Sequence, residues 1–341
     1  MSHRVAVIAG DGVGPEVIAE ARKVVDALRV GVEWDDLPWG SDYFHEHSRM
    51  MPADALEVAA GYDAILLGAV GHPSVPDHVT LWGLLLPLRQ RLDLYANLRP
   101  ARLLAGVPSR LAANPQVDML FVRENTEGEY SGVGGRAHEG LDLEVGIETS
   151  VFTRRGVRRV VERAFRLAES RRGVLTSATK SNASRYGYVL WDEVVEEVHA
   201  EHPDVTVERV LVDALAARMI TNPSSLDVVV ASNLFGDILT DLAAALQGGM
   251  GMAASASLGD GRIAIFEPVH GSAPDIAGRG IANPLGAIWS ASLMLEHLGE
   301  AEAARRVLAA VEATCRDGIL TRDLGGDAST SEAGDAVAAR L

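Results

Sequence analysis

The chain has 341 residues, enough for two domains or one large α/β unit, and its 48% hydrophobic content is that of an ordinary globular protein. Its 31 lysines and arginines face 47 aspartates and glutamates, a net charge of −16 that repels phosphodiester backbones and excludes nucleic acid as an expected partner. No run approaches the ~20 apolar residues of a membrane span, the start shows no signal-type stretch, and the single cysteine, Cys315, excludes an internal disulfide or thiolate metal cage, so a cytoplasmic chain with no membrane partner is expected.

Short apolar runs lead repeatedly into polar residues and an amphipathic helix: VAVIAGDG (5–12), AILLGAVG (64–71), MLFVREN (119–125), VLTSATKSN (174–182), ERVLVD (208–213) and DVVVASN (227–233). That alternation predicts α/β architecture, in which ligands gather beyond the carboxyl ends of the strands. Arg123, Lys180, Asp213, Asp237 and Asp241 fall there or one helical turn later.

The first turn, GDGVGPE (10–16), resembles a dinucleotide fingerprint only loosely. Glycines 10, 12 and 14 give G-x-G-x-G, with Pro15 and Glu16 where a third glycine belongs. Proline suits the first turn of a helix, and a glutamate sits badly beside a pyrophosphate, so the stretch reads as a tight strand-to-helix turn. Further on, LLPLRQRLDLYANLRPARLL (85–104) and FVREN (121–125) set Arg89, Arg99 and Arg123 among apolar neighbours, where planar guanidinium forks suit carboxylates. Arg91 and Arg102 read as surface residues. Segment 131–150, SGVGGRAHEGLDLEVGIETS, breaks the rhythm and predicts an irregular or hairpin excursion of the kind that pairs with a second subunit.

Only two of the 31 basic residues are lysines, Lys23 and Lys180. Lys23 belongs to a solvated helix face. Lys180, just past a strand, is a candidate proton carrier, because arginine cannot give up its proton at accessible pH. In NLFGDILTDLAAALQGG (233–249) Asp237 and Asp241 share a helix face, and like charges at that spacing repel by roughly 0.2–0.5 kcal/mol, more when buried. With Asp213 they make three carboxylates, a donor set suited to Mg²⁺ or Mn²⁺. The tail, GILTRDLGGDASTSEAGDAVAARL, is expected to close with a helix, and Cys315 to lie at a plain helix end.

RENTEGEYSG (123–132), TKSN (179–182), VDALAARMITNPSSLDVVVASNLFGDILTDLAAALQGGMGM (212–252), FEPVHGSAPDIAGRGIANP (266–284) and DLGG (323–326) resemble the isocitrate and isopropylmalate dehydrogenase family, in order and nearly end to end, GDGVGPE included. The resemblance implies an isopropylmalate dehydrogenase-like two-domain α/β fold, not Rossmann, with the active site in the interdomain cleft of a homodimer. Residues 1–98 and 247–341 would form the larger, mainly cofactor-binding domain. Residues 99–246 would form the smaller one, carrying dimerisation, metal and substrate functions and an arm at about 131–150. By the same resemblance Arg89, Arg99 and Arg123 bind substrate carboxylates. Asp237 and Asp241, with Asp213 from the other subunit, hold Mg²⁺ or Mn²⁺. Tyr130 is catalytic, as is Lys180, which also crosses from the other subunit. Glu267, His270, Gly271, Ser272, Ala273, Asp275 and Asn283 approach NAD, with Asp275 accepting from the ribose hydroxyls and repelling a 2′-phosphate. A monovalent cation is a further expected cofactor.

Substrate choice falls on HPSVPDHVTLWGLLLPLR (72–89). There PDHVTLWG, like NLRPARLLAGVPS (97–109), is most similar to the tartrate and decarboxylating D-malate branch of the family. An indole at Trp82 filling the pocket would suit a C4 diacid, since volume decides selectivity there. The expectation is NAD- and divalent-metal-dependent oxidative decarboxylation of D-malate to pyruvate and CO₂, with tartrate as an additional substrate. Leu84 to Leu86 leave 3-isopropylmalate as the alternative. A catalytically idle regulatory subunit of the same fold would lack the tyrosine, the lysine or a metal aspartate, and all five are present.

Overall fold

A computed structural model describes residues 2–341. Its strands are β1 (His3–Gly10), β2 (Val32–Asp36), β3 (Ala64–Ala69), β4 (Ala96–Arg102), β5 (Asp118–Glu124), β6 (Gly128–Ala137), β7 (Val145–Val151), β8 (Val174–Thr179), β9 (Thr206–Leu211), β10 (Val228–Ala231), β11 (Ala254–Leu258) and β12 (Ala264–Pro268). Ten of them form one sheet in the order β2-β1-β3-β12-β11-β4-β5-β10-β8-β9. Both flanks are parallel, as the alternation of strands and helices predicts. The centre is not: β11 runs antiparallel to β12 and β4, and β4 antiparallel to β5. This reversal was hidden in the sequence because β11 and β12 are short and no helix separates them.

Helices cover both faces, and the two-residue period of the strands sorts the core. In β1, Val5 and Val7 face the helices Gly14–Leu28 and Leu285–His297, while Ala6 and Ile8 face Trp39, Met50, Leu84 and Leu88. The β5 and β10 end repeats the scheme: Val122, Val228 and Val230 pack on Val157, Phe165 and Trp191, and Phe121 and Val229 pack on Leu215 and Leu239. Strands buried on both faces read as continuous apolar runs, which is why they were legible.

Segment 131–150 forms a two-stranded antiparallel hairpin, β6–β7, outside the main sheet. It exposes Val133, Leu141, Leu143, Val145 and Ile147. The tail ends in helix Thr330–Ala338, started by a capping box between Ser329 and Glu332. Cys315 is buried in helix Ala301–Arg316, and burial pushes its thiol up to about 12. No helix among the described residues is long and apolar enough to cross a membrane.

The glycine-rich start is a tight turn. Gly10 and Gly12 are left-handed, with φ of 70° and 59°. Asp11 between them is buried and accepts from the backbone N–H of Ser41 and Gly71 and from the Ser41 hydroxyl. Val13 donates its N–H to the Ser272 carbonyl, so the turn is docked on the HGSAPD loop. A Cβ on Gly12 would stand 2.0 Å from that carbonyl oxygen. Gly12→Ala therefore combines left-handed strain with a backbone clash, and urea unfolding should show a loss of at least ~2 kcal/mol.

Candidate active site

Arg99 on β4 and Arg123 on β5 lie on neighbouring antiparallel strands, and Arg89 sits in the last turn of helix Leu86–Arg91. Each is at most 6% exposed, so each charge needs a partner. Helix Asn233–Leu246 supplies most of them from one stripe. Asn233 accepts from Nε and Nη2 of Arg123 at 3.1 and 2.8 Å, Thr240 accepts from Nη1 of Arg99 at 2.7 Å, and Asp237 pairs with both guanidiniums. Gly236 completes the stripe, since a Cβ there would fall 2.6 Å from Cγ of Arg123. The spacing 233, 236, 237, 240 is one face of a helix. Of this face the sequence reading singled out only Asp237, paired there with Asp241, and its arginine partners were not legible. Asn97 buttresses Arg99 at 2.6 Å, and Glu267 accepts from Arg89 at 2.6 Å.

Arg89, Arg99, Arg123, Asp237 and Glu267 line a cavity of about 200 Å³ with Tyr130, His270 and Gly271, bordered on one side by Leu81, Leu85 and Leu86. The leucine side belongs to a π-helical turn, Leu81–Leu85, inserted between Asp77–Thr80 and Leu86–Arg91. Such turns recur at functional sites. Trp82 does not line the cavity. Its indole rests on Gly132, where a Cβ would meet it at 2.6 Å, and it is 43% exposed. The indole therefore does not fill the pocket as expected, and of the Leu84–Leu86 wall expected beside it Leu85 and Leu86 face the cavity with Leu81, while Leu84 is buried in the core.

The aspartates differ sharply. Burial raises the Asp237 carboxyl, but Arg123, Arg99 and Arg89 outweigh it and hold the group below its ordinary range. Its Oδ2 accepts from the Tyr130 hydroxyl at 3.2 Å, and burial, reinforced by the Asp237 charge, pushes that phenol up. Asp241, exposed at the surface, is pushed up by partial desolvation of its carboxyl and then by Asp237. Asp213 lies elsewhere, where the Lys180 ammonium donates to it at 2.6 Å and draws its carboxyl down. Among the described residues no three metal-ligating side chains meet within the chain. Asp237 and Asp241 are hard oxygen donors whose mutual repulsion a dication would relieve, so they fit one side of a Mg²⁺ or Mn²⁺ site.

His270 also borders a cleft of about 490 Å³, lined by Val13, Ile276, Arg279, Ile281, Asn283 and Asp323 among others. Its Nδ1 faces the Gly271 carbonyl at 3.0 Å, while its Nε2 is buried without a partner. With the proton on Nδ1, Nε2 is a free acceptor, which fits a ligand offering N–H or O–H donors, as adenosine does. Ala273, on the same cleft, has φ of 41°, and Asn283 is held by Asp323 at 3.0 Å. Gly271 and Ser272 continue into a third depression beside His72, Asp77 and Leu81. Asp275 lies exposed on the loop, and Lys180 and Asp213 lie outside all three hollows. Asp11, Asn233 and Thr240, which order the turn and the arginines, were missed as site residues because their partners are distant in sequence, and Asn97 was missed although Arg99 is only two residues away.

Residues 4–337 match the family described as isocitrate/isopropylmalate dehydrogenase. The chain is 52% identical over 345 residues to a probable tartrate dehydrogenase/decarboxylase of Agrobacterium vitis, covering 98% of this chain and 96% of that protein. It is 47% identical over 350 residues to the D-malate dehydrogenase [decarboxylating] of Escherichia coli, covering 98% and 97%. To a 3-isopropylmalate dehydrogenase of Mycolicibacterium vanbaalenii it is 51% identical over 311 residues, covering 90% and 92%.

The two neighbouring aspartates should respond oppositely to neutralisation. Asp241 has a folded value above its unfolded 3.8, so its ionised form weakens the fold. Asp241→Asn should raise the thermal midpoint by about 1–3 °C at pH 7 in EDTA, the gain fading as pH falls through the folded value. Asp237, depressed below 3.8, stabilises above that pH. Asp237→Asn should lower the midpoint by more, since it strands two buried guanidiniums, with the deficit shrinking as acid protonates the wild-type carboxyl. Calorimetry of both variants from pH 7 to pH 3 checks the pair.

Proposed function

The chain belongs to the isocitrate/isopropylmalate dehydrogenase family, and on that premise we propose that it oxidatively decarboxylates a small 2-hydroxy diacid. D-malate is the leading substrate and tartrate an additional one, with NAD and Mg²⁺ or Mn²⁺ as cofactors. The net reaction is D-malate + NAD⁺ → pyruvate + CO₂ + NADH. The observation that carries this reading is the convergence of Arg89, Arg99 and Arg123 on one small cavity that also receives Tyr130. Three guanidiniums against the carboxylates of Asp237 and Glu267 leave a surplus positive charge, which suits a dianionic substrate.

In this reading the arginines hold the two substrate carboxylates and fix C2 and C3 between the phenol and the nicotinamide. Lys180, reaching the site of a second copy together with Asp213, takes the proton of the 2-hydroxyl as the ketone forms. Loss of CO₂ leaves an enol-type fragment, and Tyr130 delivers a proton to C3. Gln90 donates to the Tyr130 backbone carbonyl at 3.0 Å and Asp237 accepts from its hydroxyl, so the residue is fixed at its backbone and at its hydroxyl. Asp237, Asp241 and the second copy's counterpart of Asp213 would hold the dication, which when bound supplies positive charge to the substrate hydroxyl and carboxylate. NAD, when bound along the His270 and Asn283 cleft, supplies the hydride acceptor. Asp275 on that loop favours free ribose hydroxyls over a 2′-phosphate.

A second reading, 3-isopropylmalate dehydrogenase, is favoured by one observation: the apolar wall of Leu81, Leu85 and Leu86 offers an isopropyl group a place to bury. Identity over nearly the whole chain to a tartrate dehydrogenase/decarboxylase and a D-malate dehydrogenase supports C4 diacids. Trp82, packed on Gly132 two residues from Tyr130, ties the specificity helix to the segment that bears the phenol.

A comparison of kcat/KM for D-malate, L-tartrate, meso-tartrate, 3-isopropylmalate, homoisocitrate and isocitrate with NAD and Mn²⁺ tests the assignment. D-malate should lead; a large advantage for 3-isopropylmalate would establish the second reading instead. EDTA should abolish turnover and Mn²⁺ restore it. Lys180→Arg keeps the charge but not the transferable proton, so kcat should fall by roughly 10²–10⁴. Near-normal turnover would remove Lys180 from proton transfer.

A further inference from the structure

Glu16 closes the GDGVGPE turn in the first turn of helix Gly14–Leu28 and lines none of the three hollows. Its carboxylate reaches a distant segment instead. Oε1 accepts from the Gly278 N–H at 2.5 Å, and Oε2 from the Gly280 N–H at 3.1 Å. Both glycines are left-handed, with φ of 73° and 62°. Backbone N–H groups brought together this way make a concavity for an anion, and here a side-chain carboxylate fills it. Arg279, between the two glycines, lines the 490 Å³ cleft, as do Ile276, Ile281 and Asn283 on either side.

The same loop is tied on its far side by Thr330, whose N–H donates to the Gly280 carbonyl and whose hydroxyl donates to the Ala282 carbonyl. That anchor involves only the end of the loop. Within the Gly278–Gly280 turn the Arg279 N–H bonds the Ile276 carbonyl and the Gly280 carbonyl is held by Thr330, while the Gly278 and Gly280 N–H groups both depend on the Glu16 carboxylate. Gly278 and Arg279 are exposed, so without Glu16 the freed Gly278 N–H turns to water. The loop then loses order while the core keeps its packing.

We infer that Glu16 is a positioning residue for dinucleotide binding: without contacting the ligand, its carboxylate fixes the turn that forms one wall of the adenosine cleft. This rests on reading that cleft as the NAD site. The acid that disqualified GDGVGPE as a phosphate loop thus serves the same ligand from behind the binding surface. A preordered loop spares the ligand the entropy of ordering it, so the effect appears in affinity.

Titration calorimetry with NAD and with ADP-ribose on wild type, Glu16→Ala and Glu16→Gln tests this, beside thermal melts and steady-state kinetics. Glu16→Ala should weaken both ligands by about tenfold and raise KM for NAD, with kcat, KM for the hydroxy acid and the thermal midpoint nearly unchanged. Glu16→Gln keeps one acceptor and should fall between. Unchanged affinity in both variants overturns the inference, as does a parallel fall of midpoint and kcat without weaker ligand binding. A wild type that binds neither ligand overturns the cofactor reading of the cleft, and this inference with it; normal wild-type binding with indifferent variants overturns the role of Glu16 alone.

Discussion

The arrangement depends on burying three guanidiniums beside one another. Each costs several kcal/mol to remove from water, and the three repel. Burial, followed by Arg123, pulls Arg99 down to about 9, with Asp237 opposing. The chain sustains this with Asp237, Glu267, Asn97, Asn233 and Thr240, drawn from β4, β12 and a helix that follows β10. Those partners leave charge uncompensated and the Nε of Arg89 without an acceptor. The proposed binding of a small dianion rests on that deficit more than on any single residue.

The reversal at the centre of the sheet makes this geometry possible. Because β4 and β5 are antiparallel, Asn97 lies opposite Arg123, with Arg99 two residues along β4 on the same face. Helix Asn233–Leu246 then crosses both arginines with its polar stripe. The reversal also brings β11 between β12 and β4, so that Glu267 and the HGSAPD loop arrive beside the arginines. The GDG turn locks that loop through Val13 and Ser272. The arginine-lined cavity and the 490 Å³ cleft therefore meet at His270.

Much of this was legible where physics is local. Apolar runs gave the parallel strands, glycine spacing gave the tight turn, and broken periodicity gave the hairpin. Buried arginines stood out against apolar neighbours, and Arg91 and Arg102 proved to be exposed and paired with Glu312 respectively. What was not legible depends on distant partners. The repulsion between Asp237 and Asp241 suggested a cation, yet within the chain Asp237 is compensated by arginines more than 100 residues away. The π-turn at Leu81–Leu85 was equally hidden, because LWGLL carries no local sign of an extra residue per turn. It changes which side chains face the cavity, and so Trp82 turns to Gly132 while the leucines form the wall.

The remaining imbalance lies at the surface. Among the described residues no side chain forms an ion pair with Asp241, and the neighbouring Ile238 is 60% exposed. Lys180 and Asp213 form a compact ion pair away from the cavity, and the hairpin offers five more exposed apolar side chains. Water tolerates any one of these features singly. Ile238 exposed beside the unpaired acid, and the row of exposed apolar side chains on the hairpin, are harder to reconcile with an isolated chain. A second copy covering Ile238 and bringing Lys180 and Asp213 toward Asp241 would remove the apolar exposure and place an ammonium in the field of the acid pair. The proposed shared site is therefore where separate demands of charge and burial are met by one association.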